Sequence, residues 1–135
     1  MAVISLSSLQ ISAPTSLNTS YVCGVTLTNG EVVYADSNNS NKLDKADCTT
    51  LAKASPVGIV LVPGADDTST ALATNNTLLK STGTFSKGSW YYLSATSGDI
   101  CLETDLTTNN YVTQIGYAKS DDELVVMIVK TGVQK

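Results

Sequence analysis

Histidine and arginine are both missing from this 135-residue chain, and all eight basic residues are lysines. Without histidine it lacks the commonest general base, proton shuttle and transition-metal ligand. Without arginine it lacks the planar fork that reads phosphates, carboxylates and guanine edges in pairs of hydrogen bonds. Charged residues make up only 15%, and the net charge is −4 with a pI near 4.5. A nucleic-acid footprint needs a basic face, so nucleic acid is excluded as a partner. Long apolar runs are also lacking. The longest, Leu124 to Val129, falls far short of the ~20 residues that span a bilayer. The opening Met1-Ala2-Val3-Ile4-Ser5-Leu6 has no basic n-region and reads as no signal peptide. These absences favour a structural or binding protein over an enzyme.

Cysteine is scarce too. Cys23, Cys48 and Cys101 are odd in number and widely spaced. A disulfide framework wants an even, dense set, and a zinc site wants a CxxC pair or histidine partners. The three are expected as small buried or half-buried free thiols.

What the chain has in abundance is Ser and Thr, 34 together, with nine Asn. The dominant hydrophobic period is two. Tyr21, Cys23, Val25 and Leu27 share one face of an extended segment, and Asn29-Gly30 predicts a tight hairpin turn into Glu31–Ala35. Val57–Val62 and Leu124–Val129 read as strands buried on both faces. Trp90–Leu93, Ile100–Leu102 and Tyr111–Ile115 are further strands between turn clusters, and only 41–54 offers a short helix, with Leu43, Asp47 and Leu51 at i, i+4, i+8. Strands recurring every 8–12 residues suggest a sandwich or barrel.

Shifted by 58 residues, the chain aligns with itself. Residues 26–65 meet 84–123 without a gap, with seven identities that include Gly30 with Gly88, Tyr34 with Tyr92 and Gly58 with Gly116. Chance gives roughly three at this composition. The expected fold is therefore all-β, a compact β-barrel or β-sandwich built from two pseudo-repeated halves, about 26–65 and 84–123. Asp47 and Asp105 precede Thr-Thr in each half and read as side-chain-capped turns. Gly58 and Gly116, inside apolar strands, predict a bulge or a close backbone approach. Residues 1–20 read as an N-terminal arm and linker, and 21–135 as a single β domain. Ile4, Leu6, Leu9 and Ile11 alternate in an apolar pattern that suits either an extended arm added to another subunit's sheet or a first edge strand followed by a long loop.

Catalytic and metal signals are weak. Asp66-Asp67 and Asp121-Asp122-Glu123 lack the alternating spacing of a calcium loop. No Ser-x-x-Lys and no P-loop occurs. No catalytic residue, cofactor or metal ligand is assigned. A hydrolase working with carboxylates alone would need Asp47 and Asp105 to converge, and both read better as turn formers. In Trp90-Tyr91-Tyr92, alternation puts Trp90 and Tyr92 on one face and Tyr91 on the other. Trp90 and Tyr92 are expected in the core, and Tyr91 as an interface ring alongside Ile4, Leu6, Leu9 and Ile11.

The phrases Gly88-x3-Tyr92-Leu93-Ser94-x3-Gly98-x-Ile100 and Tyr111-Val112-x2-Ile115-Gly116-x-Ala118-x-Ser120-x3-Leu124, with Val57-Gly58-Ile59-x-Leu61 upstream, resemble a β module of tailed-bacteriophage virion proteins. That module occurs notably in small capsid decoration, or cement, proteins and in head-associated or tail-associated domains. The resemblance spans about residues 26–130. It implies a structural virion protein with no catalytic activity and no cofactor. Such a protein is made in the bacterial host cytoplasm and placed on the exterior of the phage head. There it assembles as a homotrimer, binds the major capsid protein and stabilises the shell by bridging capsomers. Neither nucleic acid nor membrane is a partner. The alternative is a tail, fibre or head-fibre module binding a host glycan.

Overall fold

The computed structural model describes residues 21–135, together with the backbone of residues 3–4, 10–13 and 17–18. The chain is all-β. The strands are β1 (Val3–Ile4), β2 (Gln10–Ala13), β3 (Leu17–Asn18), β4 (Val32–Asp36), β5 (Lys42–Lys45), β6 (Gly58–Val60), β7 (Leu72–Ala73), β8 (Leu78–Lys80), β9 (Trp90–Leu93), β10 (Ile100–Leu102), β11 (Tyr111–Ala118) and β12 (Glu123–Gln134). They form two antiparallel sheets: β3-β7-β6-β4-β5, and β1-β10-β9-β11-β12-β8-β2.

The duplication read from the sequence is a duplication of structure. The run β3-β7-β6-β4-β5 in the first sheet matches β8-β12-β11-β9-β10 in the second, strand for strand in order. Registers agree at the 58-residue offset. Val32 pairs with Ile59 and Val33 with Gly58; Trp90 pairs with Tyr117 and Tyr91 with Gly116. Single hydrogen bonds repeat as well. The Gly30 N–H donates to the Val60 carbonyl at 2.7 Å, and the Gly88 N–H to the Ala118 carbonyl at 2.9 Å. Both glycines lie at φ 85° in their turns, which an L side chain adopts only with strain. The close approach expected at Gly58 and Gly116 is also present twice. A Cβ on Gly58 would lie 2.8 Å from the Ala73 carbonyl oxygen, and one on Gly116 2.5 Å from that of Val125.

Each sheet is curled. From Ile4 in β1 to Gln10 in β2 the chain advances six residues, a reach of about 22 Å. Those strands flank opposite edges of the seven-stranded sheet, which laid flat would separate them by about 29 Å. In the five-stranded sheet, β3 flanks one edge while Cys23 bridges Leu43 at the other. Strands at 3–4, 10–13 and 17–18 thus pair with the chain's own sheet edges, satisfying backbone groups that would otherwise be open to other chains.

Alternation along the strands sorts side chains into two cores. Val33, Val60 and Leu72 join Cys23, Leu27 and Leu43 in an inner core of the first unit. Their neighbours Val32, Tyr34, Ile59 and Ala73 point the other way, into a core shared with the second unit's Leu79, Phe85, Tyr91, Leu93, Ile100, Ile115, Leu124 and Val126. The expectation for Val57–Val62 therefore holds at β6, buried on both faces.

Four expectations are corrected. The 41–54 helix is instead the strand β5 followed by turns; Leu43 is fully buried and Leu51 exposed, so no single helical face was in play. Residues 21–27 are not a regular strand. They run as an irregular cover held by bridges from Val22 to Ser69, Cys23 to Leu43 and Leu27 to Gly64, so the Asn29-Gly30 turn does not join a hairpin. Leu124–Val129 is buried on one face only: Leu124 and Val126 point in, while Met127 and Val129 are exposed. Asp47 behaves as expected, its Oδ1 accepting from the Thr49 N–H at 3.0 Å and hydroxyl at 2.5 Å, but Asp105 does not. In the second half Asn110 Oδ1 serves Thr107 instead, at 2.9 Å from its N–H, and Asp105 Oδ2 has no hydrogen-bond partner among the described residues.

The paired glycines give the fold's test. Gly58→Ala and Gly116→Ala each push a methyl group into a neighbouring carbonyl and are expected to destabilise by about 1–3 kcal/mol, Gly116→Ala the more. Urea unfolding midpoints of the two variants check this; a neutral Gly116→Ala would refute the close approach.

Candidate binding surface

On the outer face of the second unit several aromatic and apolar residues lie side by side at the surface, whereas Leu51 and Val62 are exposed singly in the first unit. Strand β9 is anchored by Tyr91. Its ring meets Phe85 edge-on with centroids 5.6 Å apart, and its hydroxyl accepts the Ser86 N–H at 2.8 Å. At 2% exposure Tyr91 is core, Trp90 is exposed on the other face, and Tyr92, on Trp90's face, is half-buried against the shared core. The sequence-based assignment is thus reversed for Trp90 and Tyr91 and holds in part for Tyr92, and Tyr91 is not an exposed interface ring. The reason lies in the contacts of the ring: Tyr91 packs edge-on against Phe85 and its hydroxyl holds the Ser86 N–H, which keeps it on the inner face. Of the other predicted interface residues, Ile4 pairs with Ile100 and Ile11 with Leu79 within the chain, while Leu6 and Leu9 lie outside the described residues.

Across the outer face runs a row set by strand register: Trp90 on β9, Tyr117 on β11, Val125 on β12 and Leu78 on β8. Trp90 and Tyr117 touch, with ring centroids 5.4 Å apart and planes inclined by 52°. A second row follows the bulge at Gln114–Gly116 and holds Tyr92, Gln114 and Val129; Gln114 Nε2 lies 3.5 Å from the Tyr92 hydroxyl. Trp90, Met127 and Val129 are 37%, 41% and 47% exposed. Neither row carries a charge. Beside Trp90 and Tyr92 opens a groove of about 310 Å³ lined also by Ser89, Leu102, Glu103 and Thr104.

The repeat gives the first row its meaning. Its first-unit counterpart is Val32, Ile59 and Ala73, linked by the same pairings and fully buried in the core shared by the two units. Tyr92 likewise corresponds to Tyr34, which is buried in that core. The row is thus apolar in both copies: it is fully buried within the chain in the first, while in the second Trp90 is exposed and Tyr117, Val125 and Leu78 are half-buried. Sequence reasoning missed this surface because it placed Trp90 inside. The register of the repeat sets Val32 and Trp90 at one position, but which way that position faces in each copy is a tertiary fact.

The acidic pairs do turn work. Asp121 Oδ1 accepts the Lys87 N–H at 3.0 Å, and Asp122 Oδ1 the Gly83 N–H at 2.7 Å. Asp67 forms an ion pair with Lys42. Among the described residues no three carboxylate or thiol groups converge as metal ligands. Asp99 has its carboxyl raised, first by burial and then by the charge of Glu31, which is itself paired with Lys45 at 3.2 Å. The three cysteines are free and buried. Burial pushes Cys48 up to about 11 and Cys101 up to about 12, so neither is a thiolate nucleophile near neutrality. No family model matches the chain, and no curated protein matches it.

The thiols set a pH limit. Their folded pKa values lie above the unfolded value of 9.0, so the native chain retains protons that the unfolded chain releases. Their contribution to stability is whole below pH 9 and falls as pH rises through 11 to 12. Native protein at pH 8 is expected to give no reaction with a disulfide reagent over minutes, and three thiols per chain in urea. One fast-reacting native thiol would contradict the burial.

Proposed function

We propose that the chain is a structural, non-catalytic virion protein, a decoration or cement protein that docks on the exterior of a phage head and stabilises the shell by bridging capsomers. The observation that supports this is the apolar row Trp90, Tyr117, Val125 and Leu78 on the outer face of the second unit, whose first-unit counterpart is core. A face of that composition on a small acidic domain is made to be covered, which is the property of an assembly component. The sequence phrases shared with head-associated β modules supply the finer reading, with the major capsid protein as partner. A second reading, a module binding a host glycan, is favoured by the groove beside Trp90, where a ring platform meets the Glu103 carboxylate and the Thr104 and Ser89 hydroxyls. Aromatic faces take the apolar side of a sugar, and such groups take its hydroxyls.

The two readings part in one experiment. Purified chain is mixed with undecorated, expanded phage heads and pelleted, and heat release of the packaged DNA is followed. Saturable binding at a fixed number of copies per capsomer, with release shifted to higher temperature, is expected. No binding to heads, together with glycan-array binding lost on Trp90→Ala, would replace the first reading with the second.

A further inference from the structure

We infer that the outer face of the second unit is covered by the same face of a second copy of this chain, as a two-fold dimer. This rests on the assembly reading above and names the partner for that face.

Three observations carry the choice of partner. The first is that head-to-tail repetition is blocked. Within the chain, the row Val32, Ile59 and Ala73 is covered by the second unit, and the surfaces that cover it are already occupied in every copy. The first unit's inner face is closed too, by residues 21–27 and by the 61–71 loop. That loop is longer than its second-unit counterpart, and it bonds to the cover through Cys23 N–H to the Thr68 carbonyl and Leu27 N–H to the Gly64 carbonyl, both 2.8 Å. The apolar face that another copy leaves free is the same row, and like meeting like is the isologous, closed arrangement.

The second observation is shape. The row has two rings, Trp90 and Tyr117, at one end and two smaller aliphatic residues, Val125 and Leu78, at the other. A two-fold axis between Tyr117 and Val125 lays the large-ring end of one copy over the small end of the other, so large faces small at every step. The third is charge. The chain carries −4, which makes most of its surface a poor partner for itself. The two rows hold no charged residue, and the Glu123–Lys80 cross-strand pair that flanks the first row on the same face is neutral in sum, so copies meet there without a net like charge. The four strands β9, β11, β12 and β8 span about 19 Å and the eight residues of β11 about 27 Å, a footprint of roughly 500 Å² a side. That is below the roughly 800 Å² per partner of a standard interface, so the dimer is expected to be concentration-dependent in the micromolar range. The resemblance implies three-fold association; this contact is two-fold, and sedimentation separates the two.

The test uses the whole chain. Sedimentation equilibrium from 1 to 500 µM is expected to show a monomer–dimer equilibrium. Over the same range the emission of the lone tryptophan should move to the blue and its acrylamide quenching should fall, because Trp90 sits in the row. Tyr117→Glu sets an unpaired carboxylate against the Val125 of the other copy and is expected to weaken the dimer roughly 100-fold with thermal unfolding unchanged. Val125→Cys places a thiol beside the axis, the native thiols being buried, and a bis-maleimide with a spacer of about 10 Å is expected to give a cross-linked dimer. A monomer at 500 µM, a trimer, or a Val125→Cys chain that does not cross-link while remaining folded would each overturn the inference. Head binding scored in parallel keeps the readings apart. A monomer that still binds heads ends the dimer alone. If Tyr117→Glu abolishes that binding, the face belongs to the shell. A dimer that ignores heads keeps the dimer and ends the decoration function.

Discussion

The structure depends on one face of one strand pair. Val32 and Ile59, opposite each other on β4 and β6, are fully buried in the core that the two units share, and Ala73 extends that row to β7. Burying side chains of this kind is worth about 1.5–3 kcal/mol each. The row also commits the backbone around it. The Val32 N–H donates to the Gly98 carbonyl at 2.9 Å, the Gly98 N–H to the Ala46 carbonyl at 2.8 Å and the Cys48 N–H to the Ser94 carbonyl at 3.1 Å, so the first unit is stitched to the turn between β9 and β10. Asp47 finishes that seam, capping its own turn and accepting the Ser97 hydroxyl at 3.3 Å. Two copies of a five-strand unit become one domain because one copy's outer face is used up in joining them.

That asymmetry accounts for how the copies diverged. At the inner positions the second unit has exchanged Val33 for Tyr91, Val60 for Ala118 and Leu27 for Phe85, a redistribution of volume rather than of polarity. Tyr91 and Phe85 pack edge to face there. At the outer positions Val32 becomes Trp90, Ile59 becomes Tyr117 and Ala73 becomes Val125: each residue is larger, and none is charged. An ordinary solvent face drifts toward Lys, Glu, Ser and Thr, and this chain has plenty of Ser and Thr to spend. The outer row kept its apolar character and gained amphipathic rings, the types enriched where one protein surface meets another.

Much of this was legible in the sequence, and the limits were physical. The 58-residue offset carried over into matching registers because the turn glycines at 30 and 88 and the strand glycines at 58 and 116 answer to backbone geometry, which tolerates few substitutes. Strands β5 and β7 were invisible. Lys42, Asp44 and Lys45 crowd one, and the other is two residues long, so neither shows a period. The Trp90-Tyr91-Tyr92 phase failed for a different reason. Alternation fixes which residues share a face but not which face is core, and three large rings in a row gave hydrophobicity nothing to discriminate. Aligning the repeat to the end would have decided it only with knowledge that Val32 and Tyr34 look toward the second unit, which is a tertiary fact.

The composition with which the chain announces itself acquires a reason from this arrangement. A long charged side chain at a sheet–sheet junction must be desolvated or paired, and a guanidinium or imidazole there brings its own hydrogen-bond demands. Serine and threonine meet the backbone's needs locally instead. The Thr113 hydroxyl reaches the Ala54 carbonyl at 2.8 Å from inside the core, and the Thr70 hydroxyl reaches Val62 at 2.5 Å. The charge that remains is spent at turns, where Asp47, Asp121 and Asp122 hold backbone N–H groups, and on ion pairs such as Glu31 with Lys45. The sheet positions at the junction of the two units are thereby left to apolar and hydroxyl groups, which pack against whatever covers them without specifying its charge. On the first unit the cover is the second unit. On the second unit the same chemistry faces outward, and the acidity of the rest of the chain keeps that face from meeting its neighbours anywhere except where it is free of charge.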